Sequence, residues 1–278
     1  MGRVLSTVRG ASSIVSTLAS LWRHRQLLDM MVRRDIASRY RGSLMGVAWS
    51  LVTPVLMLAV YTFVFSVVFN ARWGTQAGSR TDFAIFLFVG LLTHGFFAEC
   101  LTRAPGLIVG HSNLVKRVVF PLEILPLSLT FSALFNCVVN IVVLLAAMLL
   151  FGMPYHWSML LFPLMLLPLV FFAIGVSYLL SSLGVFLRDI AQLTGMISML
   201  LLFMAPVFYP LEALPKNFQH WLTLNPLTVV IESSRAVLVQ GKMPAWSNWA
   251  VTLLISVSVA AYGEWWFRRT RSGFSDVL

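Results

Sequence analysis

Charge is what this sequence has least of. Of its 278 residues only 11% are Asp, Glu, Lys or Arg, and ten of those are acidic. A soluble domain carries roughly a quarter charged residues. This chain has too few to cover a water-facing surface, which leaves a polytopic membrane protein. Cysteine is scarce as well. Cys100 and Cys137 lie in apolar runs with no CxxC spacing, so a disulfide framework is excluded and two small core residues are expected. The sequence has no GxxxxGK[ST], no HExxH and no GxSxG, hence no P-loop and no familiar hydrolytic site. A signal peptide is also missing, because the run after Arg3 and Arg9 is broken by Ser12, Ser13, Ser16 and Thr17. Intramembrane carboxylates, the usual mark of an ion relay, are nearly absent. Glu99 is the one strong candidate, and a snorkelling or ion-paired role is expected for it. His94, one turn away, reads as a hydrogen-bonded packing residue.

What is present is apolar sequence in long runs. The change comes within RRDIASRYRGSLMGVAWSLVTP, residues 33–54. Up to Arg41 the segment is basic, and from Gly42 to Ala71 it has no charge. Ahead of the junction, apolar residues at helical spacing from Leu18 predict an amphipathic interface helix over 18–41 with snorkelling arginines. A soluble partner-binding helix is the alternative. Membrane spans are expected at 44–69, with Pro54 inside it, then at 83–101, 122–151, 158–187, 190–211 and 246–267. The third and fourth are divided by the turn chemistry of Gly152-Met153-Pro154. Residues 103–121 form a basic loop with helix-compatible sequence in its middle. Residues 212–245 are too polar to span and too apolar for a free loop, so external re-entrant helices are expected there. The fold class is therefore all-α integral membrane, in one transmembrane domain over 1–278. Gly42 and Gly46 form a GxxxG that would permit close helix approach.

Lys and Arg set the orientation. With the N-terminus inside, the internal segments hold Arg3, Arg9, Arg23, Arg25, Arg33, Arg34, Arg39, Arg41, Arg103, Lys116, Arg117, Arg188, Arg268, Arg269 and Arg271. The external ones hold Arg72, Arg80, Lys216, Arg235 and Lys242. Both termini are expected in the cytoplasm. The net charge of +10 thus serves topology and anionic headgroups, and nucleic acid is not expected as a partner.

Three stretches carry a resemblance: residues 34–73, RDIASRYRGSLMGVAWSLVTPVLMLAVYTFVFSVVFNARW; residues 113–127, NLVKRVVFPLEILPL; and FYPLEALP with NPLTVVIESSRAVLVQG within 208–241. In this order they resemble the membrane subunit of ABC-2 type exporters of the polysaccharide branch. The likeness is greatest to O-antigen permeases, with capsular and teichoic-acid permeases as close relatives. Leu122 departs from the pattern, which has a basic residue after the Phe-Pro pair.

The resemblance implies a permease half of an ATP-driven exporter in the bacterial inner (cytoplasmic) membrane. It implies a homodimer working with two copies of a separate cytoplasmic ATPase, which would hold the ATP and Mg; no cofactor is expected in this chain. The cargo would be a lipid-linked polysaccharide, with drug or lipid export as the further alternative. A membrane-embedded transferase would need clustered catalytic residues, which the sequence does not offer. Residues 103–121 correspond to the family's coupling helix, with Gly110, His111, Asn113, Leu114, Lys116 and Arg117 expected against the ATPase. Arg33, Arg34, Arg39 and Arg41 are expected at the membrane interface, near headgroups and the incoming substrate. A glycan pathway calls for aromatic faces and few fixed charges. Tyr61, Phe65 and Phe69 fall on one helix face, with Trp49 three turns earlier. Phe203, Phe208 and Tyr209 end the fifth span. These seven are the expected pathway residues, against the plainer reading that they pack on protein or lipid.

Overall fold

The computed structural model describes residues 24–69, 80–115 and 120–278, and the regular elements among them are helical. Helix α1 (Arg25–Arg39) comes first. Its Leu27, Leu28 and Met31 pack on Ile108, Leu122 and Leu125, which is the apolar stripe the sequence shows; residues 18–23 of the expected interface helix lie outside the described residues. The chain then turns through Gly42 and Gly46, whose φ angles of 84° and 54° are left-handed. A side chain is strained there, so these glycines make the turn. They do not form the helix-packing motif expected from their spacing.

Helix α2 (Trp49–Tyr61) follows a short 3₁₀ turn and runs into a π-helical turn at Thr62–Val68. Next come α3 (Arg80–Arg103), the loop helix α4 (Ser112–Val115), α5 (Ile124–Leu150), α6 (Phe162–Phe186) and α7 (Ile190–Met204). The chain closes with α8 (Lys216–Thr223), α9 (Pro226–Leu238), α10 (Trp246–Thr270) and α11 (Phe274–Val277). Among the described residues, five helical stretches are long and apolar enough to cross a membrane: Gly46–Phe65, Asp82–Arg103, Ile124–Leu150, Trp157–Phe186 and Trp246–Val277. Apolar α7 is shorter, at 15 residues. At 1.5 Å per residue it is about 22 Å long, against a hydrocarbon layer of about 30 Å. It stops at Met204, before the expected 211, because Ala205 turns extended and Pro206 follows.

Two apolar cores divide the bundle along its length. The larger joins α3, α5 and α6 to α9 and to Ala205 and Val207. The smaller gathers α1, the loop at 104–115 and the ends of α6 and α10 around Tyr178, Phe267 and Phe274. Leu122, where a basic residue was expected, is buried in this second core, so a charge there would be stranded. Helices α6 and α10 touch backbone to backbone. A Cβ on Gly175 would lie 2.5 Å from the Val259 carbonyl oxygen, and one on Gly263 2.3 Å from that of Gly175. Small residues at such crossings let membrane helices gain close packing.

Candidate functional site

Three helices each bring a one-turn pair of polar residues to a single place: Asp35 and Arg39 from α1, Glu99 and Arg103 from α3, Ser132 and Asn136 from α5. Spacing of four puts both members of each pair on one helix face. Arg103 donates to Asp35 through Nη2 at 2.7 Å and Nη1 at 3.1 Å, and also to Glu99 Oε1 at 3.0 Å. Arg39 donates to Asp35 Oδ2 at 2.9 Å and to Ser132 Oγ at 2.8 Å, and pairs with Glu99 Oε1. Ser132 in turn donates to Asp35 at 2.6 Å, and Asn136 Nδ2 donates to Glu99 Oε2 at 2.9 Å. Two carboxylates meet two guanidiniums, so the cluster has no net charge. Partial burial alone raises the Asp35 carboxyl, but hydrogen bonds from Arg103, Ser132 and Arg39 outweigh it and hold the group at about 2.

Arg39 is therefore turned inward, whereas Arg33, Arg34 and Arg41 are exposed. His94 does not partner Glu99. Its Nε2 lies 3.1 Å from the Ser198 carbonyl oxygen on α7.

Six of the seven expected pathway aromatics come together at the far end of α2. Phe65 sits 6.5 Å from Tyr61, 5.8 Å from Phe69 and 6.5 Å from Phe208 between ring centres, and Phe203 stacks on Phe208 at 5.6 Å. The π turn, closed by the Phe69 N–H donating to Val64 O at 2.9 Å, widens the helix here; such turns are frequent at functional sites. Tyr209 Oη donates to Phe203 O at 2.9 Å. Phe83 of α3 stacks on Phe65 at 5.2 Å, a partner that sequence reasoning missed because nothing marks one Phe among the apolar residues of α3. Trp49 is not part of this seam. It lies at the opposite end of α2, beside Glu99.

The loop after α3 is anchored on one side and open on the other. Ala104, Pro105 and Ile108 are buried, and Gly184 is bare because a Cβ there would lie 2.0 Å from the Pro105 carbonyl oxygen. Val109, Gly110 and Asn113 face outward. His111 Nδ1 lies 2.9 Å from Leu107 O, and Leu114 packs into the smaller core. Lys116 and Arg117 lie outside the described residues.

Between α7 and α10, one buried arginine organises the chain. Arg235 of α9 donates to the carbonyls of Phe86 at 3.0 Å, Val207 at 2.8 Å and Pro206, and to Glu232 at 2.8 Å. Carbonyls freed where a helix stops need donors when water is excluded, and this side chain supplies them at Pro206 and Val207. Gly90 leaves the room: a Cβ there would stand 2.9 Å from Arg235 Nη2 and 3.2 Å from Val207. Burial pushes the Glu232 carboxyl up, and Arg235 opposes the shift. Of this arrangement the sequence shows only an arginine in a segment of scattered charge.

Comparisons with known proteins agree with this architecture. The ABC-2 type transporter family matches residues 26–239. An O-antigen export system permease protein, RfbA, of Myxococcus xanthus is 27% identical over 267 residues, covering 95% of this chain and all of that protein. The RfbA permease of Klebsiella pneumoniae is 25% identical over 256 residues, 91% of this chain and 95% of its own length. The polysialic acid transport protein KpsM of Escherichia coli is 22% identical over 219 residues, 77% of this chain and 81% of its own. With most of its length matched, the chain belongs to the ABC-2 type transporter family of membrane proteins.

Proposed function

We propose that this chain is the permease half of an exporter that moves a lipid-linked polysaccharide of the O-antigen type across the bacterial inner membrane. The observation that carries this reading is end-to-end similarity to O-antigen export permeases. The aromatic seam and the scarcity of unpaired charge inside the bundle suit a polyhydroxylated cargo with apolar ring faces. Helix α7 serves as the fifth of six spans, and α8 and α9 form a re-entrant pair on the external face. Both termini lie in the cytoplasm. Helices α2 and α7 leave broad apolar faces exposed, with Pro54 and Leu58 buried on one and Thr194 on the other. These faces suit the interface of a homodimer whose seams line one pathway. The outward face of residues 109–113 docks on a separate ATPase, which binds ATP and Mg. Arg33, Arg34 and Arg41 lie among the lipid headgroups. A capsular cargo is the second reading, favoured by similarity to KpsM.

Deleting the chain is expected to abolish a surface polysaccharide while its lipid-linked precursor accumulates inside. The purified chain is expected to hydrolyse no ATP until the partner subunit is added. Robust hydrolysis by the chain alone, or an unchanged surface polysaccharide, would sink the reading.

A further inference from the structure

A cavity of about 260 Å³ lies between α2, α3 and α5, alongside the ion cluster. Its walls include Tyr40, Trp49, Thr53, Glu99, Asn136 and Asn140. We propose that it is a binding subsite for one uncharged sugar ring of the glycan; the inference rests on the export reading above and names where that cargo is held first.

The lining chemistry selects the ligand. Trp49 and Tyr40 provide aromatic surface for the C–H face of a pyranose. Opposite them, Ser132, Asn136 and Asn140 climb α5 at intervals of four, and the last two reach the cavity. Among the described residues, the side chains of Thr53 and Asn140 make no hydrogen bond, so a hydroxyl, an acceptor and two amide donors are available to a polyol. Charge argues against the other candidates. Arg39 and Arg103 are paired with Asp35 and Glu99, so the cluster presents no net charge to a phosphate or a cation, although Arg39 Nε itself has no acceptor. A neutral ligand rich in hydroxyls is what remains. Pockets for small ligands run from roughly 300 Å³ upward, so this cavity holds one ring and not a chain segment. It also lies at the end of the bundle that carries α1 and the 104–115 loop, away from the aromatic seam. A ring held here would precede the seam along the pathway.

Gly95 offers a clean way to close the cavity. It lines the space, and a Cβ built on it meets nothing within 4 Å, so a side chain there starts from an unobstructed position on the cavity wall. The full-length chain in nanodiscs is titrated with a panel of methyl glycosides, binding being read by saturation-transfer NMR, with inorganic phosphate as the charged control. The wild type is expected to bind at least one glycoside and no phosphate. Gly95→Leu is expected to abolish that binding, and Asn140→Ala to weaken it about fivefold, as for one lost hydrogen bond. In cells lacking the native gene, both variants are expected to insert normally but to export less glycan than the wild type. Asn140→Ala covers the case in which Gly95→Leu fails to insert, because Asn140 holds nothing else in place.

The subsite is overturned if glycan export depends on the chain while both inserted variants bind glycosides and export as the wild type does. Phosphate bound more tightly than any glycoside would overturn it equally. If deletion of the chain leaves surface glycan intact, the export reading itself has failed and takes the subsite with it.

Discussion

Two of the polar centres among the described residues lie toward opposite ends of the bundle and are built on opposite plans. At the α1 end, Asp35, Arg39, Glu99 and Arg103 share charge over three helices. Each ion has at least two partners, and the side chains keep between 19% and 34% exposure. At the α9 end, a single guanidinium is 1% exposed and is held mainly by backbone carbonyls. The first centre joins helices that are each complete. The second repairs a break, supplying donors where α7 stops short. A shared network tolerates the loss of one member because the others remain paired. A buried guanidinium with one carboxylate partner and otherwise carbonyl acceptors has less reserve.

The largest expected effect follows from that difference. Arg235→Ala leaves the carbonyls of Phe86, Pro206 and Val207 without this donor and Glu232 without its cation. A loss of about 3–5 kcal/mol is expected, read by denaturant unfolding in detergent. Arg235→Lys should recover little, because an ammonium cannot fork to several carbonyls. Full rescue by lysine would mean that charge alone matters at this site.

The three-helix cluster is expected to give a smaller and coupled response. A double-mutant cycle over Asp35→Ala and Arg103→Ala should show an interaction of about 0.5–3 kcal/mol. Additivity within error would show that the network is only a set of independent surface pairs.

Acid should separate the two centres by sign. Asp35 has a depressed carboxyl, so its contribution is fully present above the ordinary 3.8 and is lost as pH falls toward about 2. Glu232 is shifted the other way by burial. Its contribution is present in acid and is lost as pH rises through the elevated value. Hydrogen exchange across this acid range should therefore show α1 loosening from α3 and α5 while α9 keeps its protection. Equal loosening at both ends would contradict the assignment.

The smallest effect belongs outside both centres. Arg33 and Asp29 pair at 2.8 Å with 79% and 61% exposure. Arg33→Ala should cost no more than about 0.5 kcal/mol. A larger loss in the same unfolding assay would place this end of α1 within the cluster's reach.

How much of this was legible varies by residue. The long apolar helices were readable because hydropathy and length are local properties. Helix α7 is the exception: Pro206 was visible, but an early stop is tolerable only with Arg235 beneath it, and Arg235 lies 29 positions on. The Tyr61, Phe65 and Phe69 stripe was readable by spacing. Its meeting with Phe203 and Phe208 depended on how the π turn at Thr62–Val68 lies against the end of α7 and the chain after it, whereas the separation of Trp49 follows from the rise along α2 itself. The sequence also carries a signal for the ion cluster. Asp35/Arg39, Glu99/Arg103 and Asn136/Asn140 all stand four apart in a chain with few polar residues. The resemblance places Arg39 with Arg33, Arg34 and Arg41 at the headgroups, and helix spacing alone does not say which arginine turns inward.

The sequence by itself determined the membrane class, the all-helical build and the places where the long helices lie, since each depends on the composition of one contiguous stretch. It also carried the family, since matched residues run through nearly the whole chain. Only the tertiary structure decided which charges neutralise one another, which glycines are helix contacts and which are turns, and where a cavity remains. Those outcomes depend on the mutual rotation and depth of helices far apart in the chain. A side chain's burial and partners are set by that geometry, and no window of neighbouring residues contains it.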